Sequence, residues 1–447
     1  MYRAPTLSKM LNDSILDDEY KYRTVAVLAA SITNSKIGVK KITLIMNKSK
    51  IAYISFDIVP SPKGAAIHIA AFSQALALWY GDIELVTVSP TADRVDADNI
   101  YPQIKNVMLP AIGKTLIHRV LYFRQQLQSW LQGRKFAVVH IRSIYEGFPI
   151  ALNKSKYCDY LVFEVNGLPS IELKYRYPNV VEDRELLHKL ISQEDICLEA
   201  ADLIITPSSI TKEFLKTRGV NESKIRVIPN GVDLNIFSYF NMGMGAMPCA
   251  PTNPFHMLYF GTLSPWQGVN LAVEALALVN RDIPAKLTII GQGRESQIQA
   301  LKQLAAKLQV LENIDILEAR SQTDLVKSIH TANAILAPLM PNDRNLIQGC
   351  CPLKILEGMA TGIPVIASDL PVVQELGLDR EHFLLVKPGS AKAIKDAVLI
   401  LNQDSELTNK LAINARQRIE AYYTWQQAGE ALINAYSELG INRLITV

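Results

Sequence analysis

The chain has 447 residues and a formal net charge of +3, with 49% hydrophobic and 20% charged residues. Such a composition is globular: a disordered chain would be poorer in large aliphatic residues. A histone-like polybasic protein would carry far more charge, so no nucleic-acid partner is expected. At about 150 residues per domain, the length suits two or three domains.

Five cysteines (Cys158, Cys197, Cys249, Cys350 and Cys351) are scattered without a C-x-x-C pair. That argues against a zinc ribbon or a dithiol redox site and suits a reducing compartment. No uninterrupted apolar run reaches the ~18 residues of a membrane-spanning helix. The apolar piece at 24–32 is too short and has no small-residue cleavage site. The expected location is therefore the cytoplasm.

Residues 1–45 do not share the pattern that follows. The stretch MNKSKIAYISFDIVP, from Met46, reads as a natural beginning. The expectation is that the functional protein starts there; the alternative is a loosely packed arm. Strands are then read at 51–56, 85–88, 136–141, 161–165, 203–206 and 225–228, with helices at 64–80 and 182–201. Asp96-Ala97-Asp98 falls in a polar stretch read as a solvated loop, so no metal site is expected there. Between Asn99 and Tyr145 there are seven Lys or Arg residues and no acid. Within it, 113–135 reads as an amphipathic helix with Leu116, Val120, Phe123, Leu127, Trp130 and Leu131 on its apolar face. That face suits either a core or an anionic membrane surface.

Residues 238–255 carry no charge, three prolines and two glycines, the composition of a linker. The pattern then restarts, with strands at 257–260, 287–290, 314–317, 334–337, 365–367 and 384–386. Helices are read near 268–280, 294–309, 321–332, 353–361 and 390–402, and again at the C-terminus with Trp425, Leu432 and Tyr436 as anchors. Short runs apolar on both faces, separated by helices, predict α/β architecture. The expectation is two doubly wound, parallel-sheet (Rossmann-like) domains facing a cleft. Ligands bind such sheets at the carboxyl ends of the strands.

The motifs sit at strand ends. PSPKGAAIH (60–68) places Lys63 and Gly64 at a helix start suited to a phosphate. It lacks P-loop spacing. GTLSPWQG (261–268) and GQG (291–293) put Gly261, Gly268, Gly291 and Gly293 at two more such turns. In RNLIQGCCPLKILEGMATGIPVIASD (344–369), Gly349, Cys350, Cys351 and Pro352 form a small-residue loop. A helix follows with Leu353 and Lys354 in its first turn and Glu357 one turn on. A cation beside helix N–H groups seats a diphosphate, and a nearby carboxylate accepts sugar hydroxyls. The plain alternative is an i,i+3 ion pair of Lys354 with Glu357.

These motifs, with LEAADLIITPSS (198–209), KIRVIPNGVDLNIF (224–237), Pro371 and Glu375, resemble the family 4 glycosyltransferases, retaining enzymes of GT-B architecture. The resemblance implies an acceptor-binding domain at 46–237, the 238–255 linker and a nucleotide-sugar-binding domain at 256–415. It also implies helices at 416–447 that cross back to the first domain. Glu357 matches the second glutamate of the family's E-x7-E; Gly349 stands where the first would be. The loop Q-G-C-C-P-L-K resembles a variant branch. Thr262 and Gln267 stand where the family commonly has Arg and Lys, so Lys354, with Lys63 and Arg344, is expected to meet the diphosphate. VVHIRS (138–143) resembles a strand end carrying two histidines, which implies catalytic roles for His140 and Arg142 beside Lys354. Glu164 and Asn166 are expected to face the acceptor.

The implied activity is metal-independent, retaining transfer from a UDP- or GDP-sugar, a substrate rather than a cofactor. The acceptor would be a saccharide or lipid-linked, in polysaccharide or glycolipid synthesis, with peripheral attachment to the inner membrane face. A nucleotide-sugar 2-epimerase and a non-catalytic, transferase-like binding subunit are the alternatives.

Overall fold

The computed structural model describes residues 51–240 and 254–441. The expectations for residues 1–45 and for most of the 238–255 linker lie outside the described residues.

The first half contributes β1 (Ile51–Ile54), β2 (Ile83–Val88), β3 (Val95–Tyr101), β4 (Ile104–Leu109), β5 (Phe136–Ile141), β6 (Cys158–Glu164), β7 (Leu203–Thr206) and β8 (Ile225–Val227). They form one sheet in the order β3-β4-β2-β1-β5-β6-β7-β8. Only the β3–β4 pair is antiparallel. On β1, Ala52 and Ile54 join one apolar cluster while Ile51 and Tyr53 join the other. Successive side chains point to opposite faces, so a strand covered on both sides reads as an unbroken apolar run.

The second half contributes β9 (Phe255–Phe260), β10 (Ala285–Ile290), β11 (Ile314–Leu317), β12 (Ala334–Ala337), β13 (Val365–Ser368) and β14 (Leu384–Val386). Their order is β11-β10-β9-β12-β13-β14, and the pairs are parallel. Apolar clusters again cover both faces. The architecture is two parallel-sheet α/β layers systems, as expected.

One reading needs correction, one open alternative is decided, and further helices are new. Asp96 and Asp98 lie on β3, not in a loop. This strand sits at the sheet edge with β4 as its one partner, so it needs no continuous apolar run. The basic helix spans Leu116–Leu131, and its apolar face is core: Val120, Phe123, Leu127, Trp130 and Leu131 are buried. That face is not available to a membrane. Helices Ile144–Ala151, Pro169–Arg176 and Ser209–Thr217 were not expected.

The chain passes between the halves twice. Phe237 and Tyr423 belong to a second-half cluster, whereas Ile228 and Trp425 belong to the first half. At the crossing, Val232 N–H donates to the Tyr423 carbonyl at 2.8 Å and Trp425 N–H to the Val232 carbonyl at 3.4 Å. Helix Trp425–Ser437 then packs on helix Gly64–Tyr80, burying Leu432 and Tyr436.

Candidate active site

A cleft of about 400 Å³ opens at the carboxyl ends of both sheets. Lys63, Gly64, His68, Arg142 and Asn166 line it from the first half. From the second half come Gly261, Thr262, Gln267, Gly291, Cys350, Cys351, Pro352, Leu353, Lys354 and Glu357. Two helices begin at its wall, Gly64–Tyr80 and Leu353–Thr361. Neither has a side-chain cap or an acid in its first turn. Their free N–H groups and positive dipole ends therefore face the cleft.

Lys354 is 6% exposed, yet its Nζ makes no hydrogen bond. It sits 3.9 Å from the centre of the Tyr259 ring, a cation–π contact. The i,i+3 ion pair with Glu357 is not formed. Burial lowers the amine from 10.5 to about 7, although Glu357 and Cys350 oppose this. Burial likewise raises the Glu357 carboxyl from 4.5 to about 7, against a hydrogen bond from Gln322 and the Lys354 charge. Gln267 also leaves a buried amide oxygen unpaired. The second-half wall thus offers one unmet cation, one unmet acceptor and a free helix end.

The other cations expected to help are differently placed. Arg344 Nε donates to Glu172 Oε1 at 2.8 Å, so its charge is already met. Its guanidinium also lies over the Trp266 ring, 5.0 Å from the centre. Lys63 is exposed at the start of its helix. Arg320 lines the cleft and was not anticipated.

Several expected site residues do not reach the cleft. His140 is fully buried, with Nδ1 2.7 Å from Tyr436 Oη and Nε2 3.1 Å from Glu164 Oε2. Both ring nitrogens are occupied, and burial lowers the imidazole despite the Glu164 contact. Glu164 is the hub of this cluster. Tyr53 Oη donates to it at 2.6 Å, Arg142 Nε at 2.8 Å, and Asn166 donates as well. Burial alone would raise this carboxyl; the His68 and Arg142 charges and the His140 hydrogen bond hold it well below the ordinary value. A carboxylate so saturated is structural, which corrects its acceptor role. Arg142 does face the cleft, but Glu164 and Asp57 already pair its charge. Gly293 packs against Leu263 and Gly349 against Ser208 and Thr211, so neither is a cleft contact.

Sequence reasoning missed His68 and Asn230. His68 closes the quoted PSPKGAAIH motif, four residues after Gly64, and so lies on the face of the helix above its first residue. Asn230 belongs to the quoted IPNGVD segment. Both line the cleft.

Two sequence families match the chain. Glycosyltransferase Family 4 covers residues 62–236 and Glycosyl transferases group 1 covers residues 249–418. Glycogen synthase of Mycobacterium tuberculosis is 27% identical over 239 residues, 53% of this chain and 54% of that enzyme. The chain thus spans about half the length of that curated relative. Among solved structures, sucrose-phosphate synthase of Thermosynechococcus elongatus superposes with a TM-score of 0.73 at 20% identity, covering 88% of this chain and 99% of that one. HepE of Anabaena, solved with UDP and glucose, gives 0.66 at 15% identity, covering 87% and 100%. The structures speak for a fold of GT-B type, and each half of the chain is similar to a glycosyltransferase family.

Proposed function

We propose that this protein transfers a sugar from a UDP- or GDP-sugar to a saccharide or lipid-linked acceptor with retention of configuration. The observation that carries this reading is Lys354 Nζ, buried at the cleft wall without a hydrogen-bond partner. An unpaired buried amine is costly unless an anion meets it. A donor's diphosphate supplies that anion and also suits the free N–H groups of helix Leu353–Thr361. Glu357, one turn on, is placed to accept hydroxyls of the nucleotide's ribose. That HepE was solved with UDP-glucose favours a UDP-linked donor.

As the sugar–phosphate bond breaks, charge grows on the leaving diphosphate; Lys354 and the backbone N–H groups meet it in place of a metal. Retention without a carboxylate nucleophile suits attack on the face the diphosphate leaves, with a leaving-phosphate oxygen taking the acceptor's proton. Arg142 and Asn166 form the acceptor wall. Among the described residues no helix is long and apolar enough to cross a membrane. Ile112, Ile117 and Leu121 are nevertheless exposed beside Lys114. That surface suits peripheral attachment to an anionic, inner membrane face, where a lipid-linked acceptor of polysaccharide or glycolipid synthesis would lie.

A binding subunit without turnover is the second reading. It is favoured by Thr262 and Gln267, neutral side chains on the cleft wall where the resembled family commonly has cations.

The test is thermal stabilisation by a panel of UDP-, GDP- and ADP-sugars, with Glu357→Ala alongside. A ligand at one hundred times its dissociation constant adds about 2.7 kcal/mol. A shift with one nucleotide class, lost in the variant, supports the reading. No shift with any donor overturns it.

A further inference from the structure

Asn230 lies just past β8, in the loop by which the chain leaves the first sheet. It is buried, and its side chain makes two hydrogen bonds in opposite directions. Nδ2 donates to the Cys351 carbonyl at 2.7 Å. Oδ1 lies 2.7 Å from His68 Nδ1. A carbonyl partner takes only a donor, which fixes the amide orientation; Oδ1 is then the acceptor and His68 Nδ1–H the donor.

Each end of this bridge is anchored. The His68 ring packs on Phe72 and Trp425, with centroids 4.0 Å and 5.6 Å away. Its Nε2 stands 2.9 Å from Glu164 Oε1 as an ion-pair contact, off the direction of a hydrogen bond. On the other side, the 349–352 loop leads directly into helix Leu353–Thr361, whose first turn no side chain caps. One amide therefore ties the first-half wall of the cleft to the loop that aims Lys354.

We propose that Asn230 is a positioning residue: it holds the 349–352 loop against His68 and so sets where Lys354 and the helix N–H groups meet a ligand. The consequence for donor binding rests on the nucleotide-sugar reading; the positioning itself does not. Of side chains this size in their ordinary protonation state, the carboxamide is the one that offers an acceptor and a donor at once. A protonated Asp offers the same pair, C=O to His68 and O–H to the Cys351 carbonyl, whereas an ionised Asp offers acceptors only. The titratable or charged groups around position 230 are His68, with Glu164 and Arg142 behind it. On the loop side they are Cys350, Cys351, Lys354, Glu375 and Tyr423.

The experiment compares hydrogen exchange of the full chain, without ligand, in wild type, Asn230→Ala and Asn230→Asp. Peptides covering 345–356 and 63–69 should exchange faster in Asn230→Ala, on the order of tenfold for one lost buried hydrogen bond. A peptide covering 136–141 should not change, which separates positioning from general unfolding. Asn230→Asp, ionised at pH 8, keeps an acceptor for His68 but has no donor for the Cys351 carbonyl, so at that pH its 345–356 peptide should exchange as in Asn230→Ala while its 63–69 peptide stays near wild type. UDP and GDP affinities should fall in both variants. Unchanged exchange at 345–356 in Asn230→Ala, or wild-type exchange at 345–356 in Asn230→Asp at pH 8, overturns the proposal. If the wild type binds neither nucleotide while the loop loosens as expected, the nucleotide reading fails and the positioning role stands.

Discussion

Lys354 Nζ rests against the face of Tyr259, 3.9 Å from the ring centre, and makes no hydrogen bond. Lys354→Met should therefore weaken UDP or GDP binding by roughly ten- to a hundredfold, the range for a hydrogen bond to a charged group. The same variant should melt at a higher temperature than wild type without ligand, because an unpaired buried amine is removed. Calorimetric titration and thermal melts check the two halves; a variant that binds both nucleotides normally would sink the role given to Lys354.

The pH dependence of stability follows from the same pair. The Lys354 amine titrates near 7 when folded, against an ordinary 10.5. The unfolded chain holds the extra proton between those values, so stability rises with pH across that window. Glu357 runs the other way: its folded value near 7 exceeds the ordinary 4.5. Its contribution is full below about 4.5 and is lost as pH rises through about 7. Glu357→Gln should flatten the acid side of a melting-temperature profile and Lys354→Met the alkaline side. Profiles that superpose on wild type would refute the assignment.

Glu164 should behave as a structural carboxylate. Glu164→Gln leaves the buried Arg142 with Asp57 alone and disturbs His140 and Tyr53. Breaking such a buried pair costs about 3–5 kcal/mol. Urea denaturation at pH 7 measures it. Because the carboxyl is held low, its contribution is present above the ordinary 4.5 and is lost as pH falls toward the folded value. A change confined to activity, with the urea midpoint unmoved, would return Glu164 to the acceptor site.

Gly349 has φ of 84°, and an added Cβ would lie 2.6 Å from both Ser208 Oγ and Thr211 Oγ1. Gly349→Ala should cost about 1–3 kcal/mol from backbone strain, and more from collision with the helix Ser209–Thr217. It should weaken nucleotide binding too, since the 349–352 loop must shift. A urea midpoint within error of wild type would show that the loop yields without cost.

The exposed stripe on helix Leu116–Leu131 makes a separate expectation. Ile117→Asp combined with Leu121→Asp should abolish flotation with anionic vesicles at low salt, while leaving the melting temperature near wild type. Wild type failing to float would retire membrane attachment.

The sheets were legible because their central strands bury both faces, leaving unbroken runs such as Met257 to Phe260. Edge strand β3 was not, since its exposed side keeps polar residues such as Asp96. Helix Ile144–Ala151 hid behind Gly147 and Pro149, which read as breakers although Ser143 and Glu146 cap its start. Lys354 and Glu357 were legible because one strand–loop–helix motif carries both. His68 and Asn230 were not, because their hydrogen bond joins residues separated by 162 positions. His140 and Glu164 stand at strand ends, but the pleat turns them toward Tyr53 and Tyr436 rather than the cleft.

The two passages between the halves lie side by side, bonded to each other at Val232 and Tyr423. A single tether would act as a swivel, free to twist as well as bend. Two tethers fastened together form a spine that resists such twisting, and side-chain bonds such as Arg344 to Glu172 join the halves beyond it. Cutting the chain before Thr424 would do more than remove a helix. It would unfasten the spine and uncover His140, whose ring Tyr436 holds from the far side.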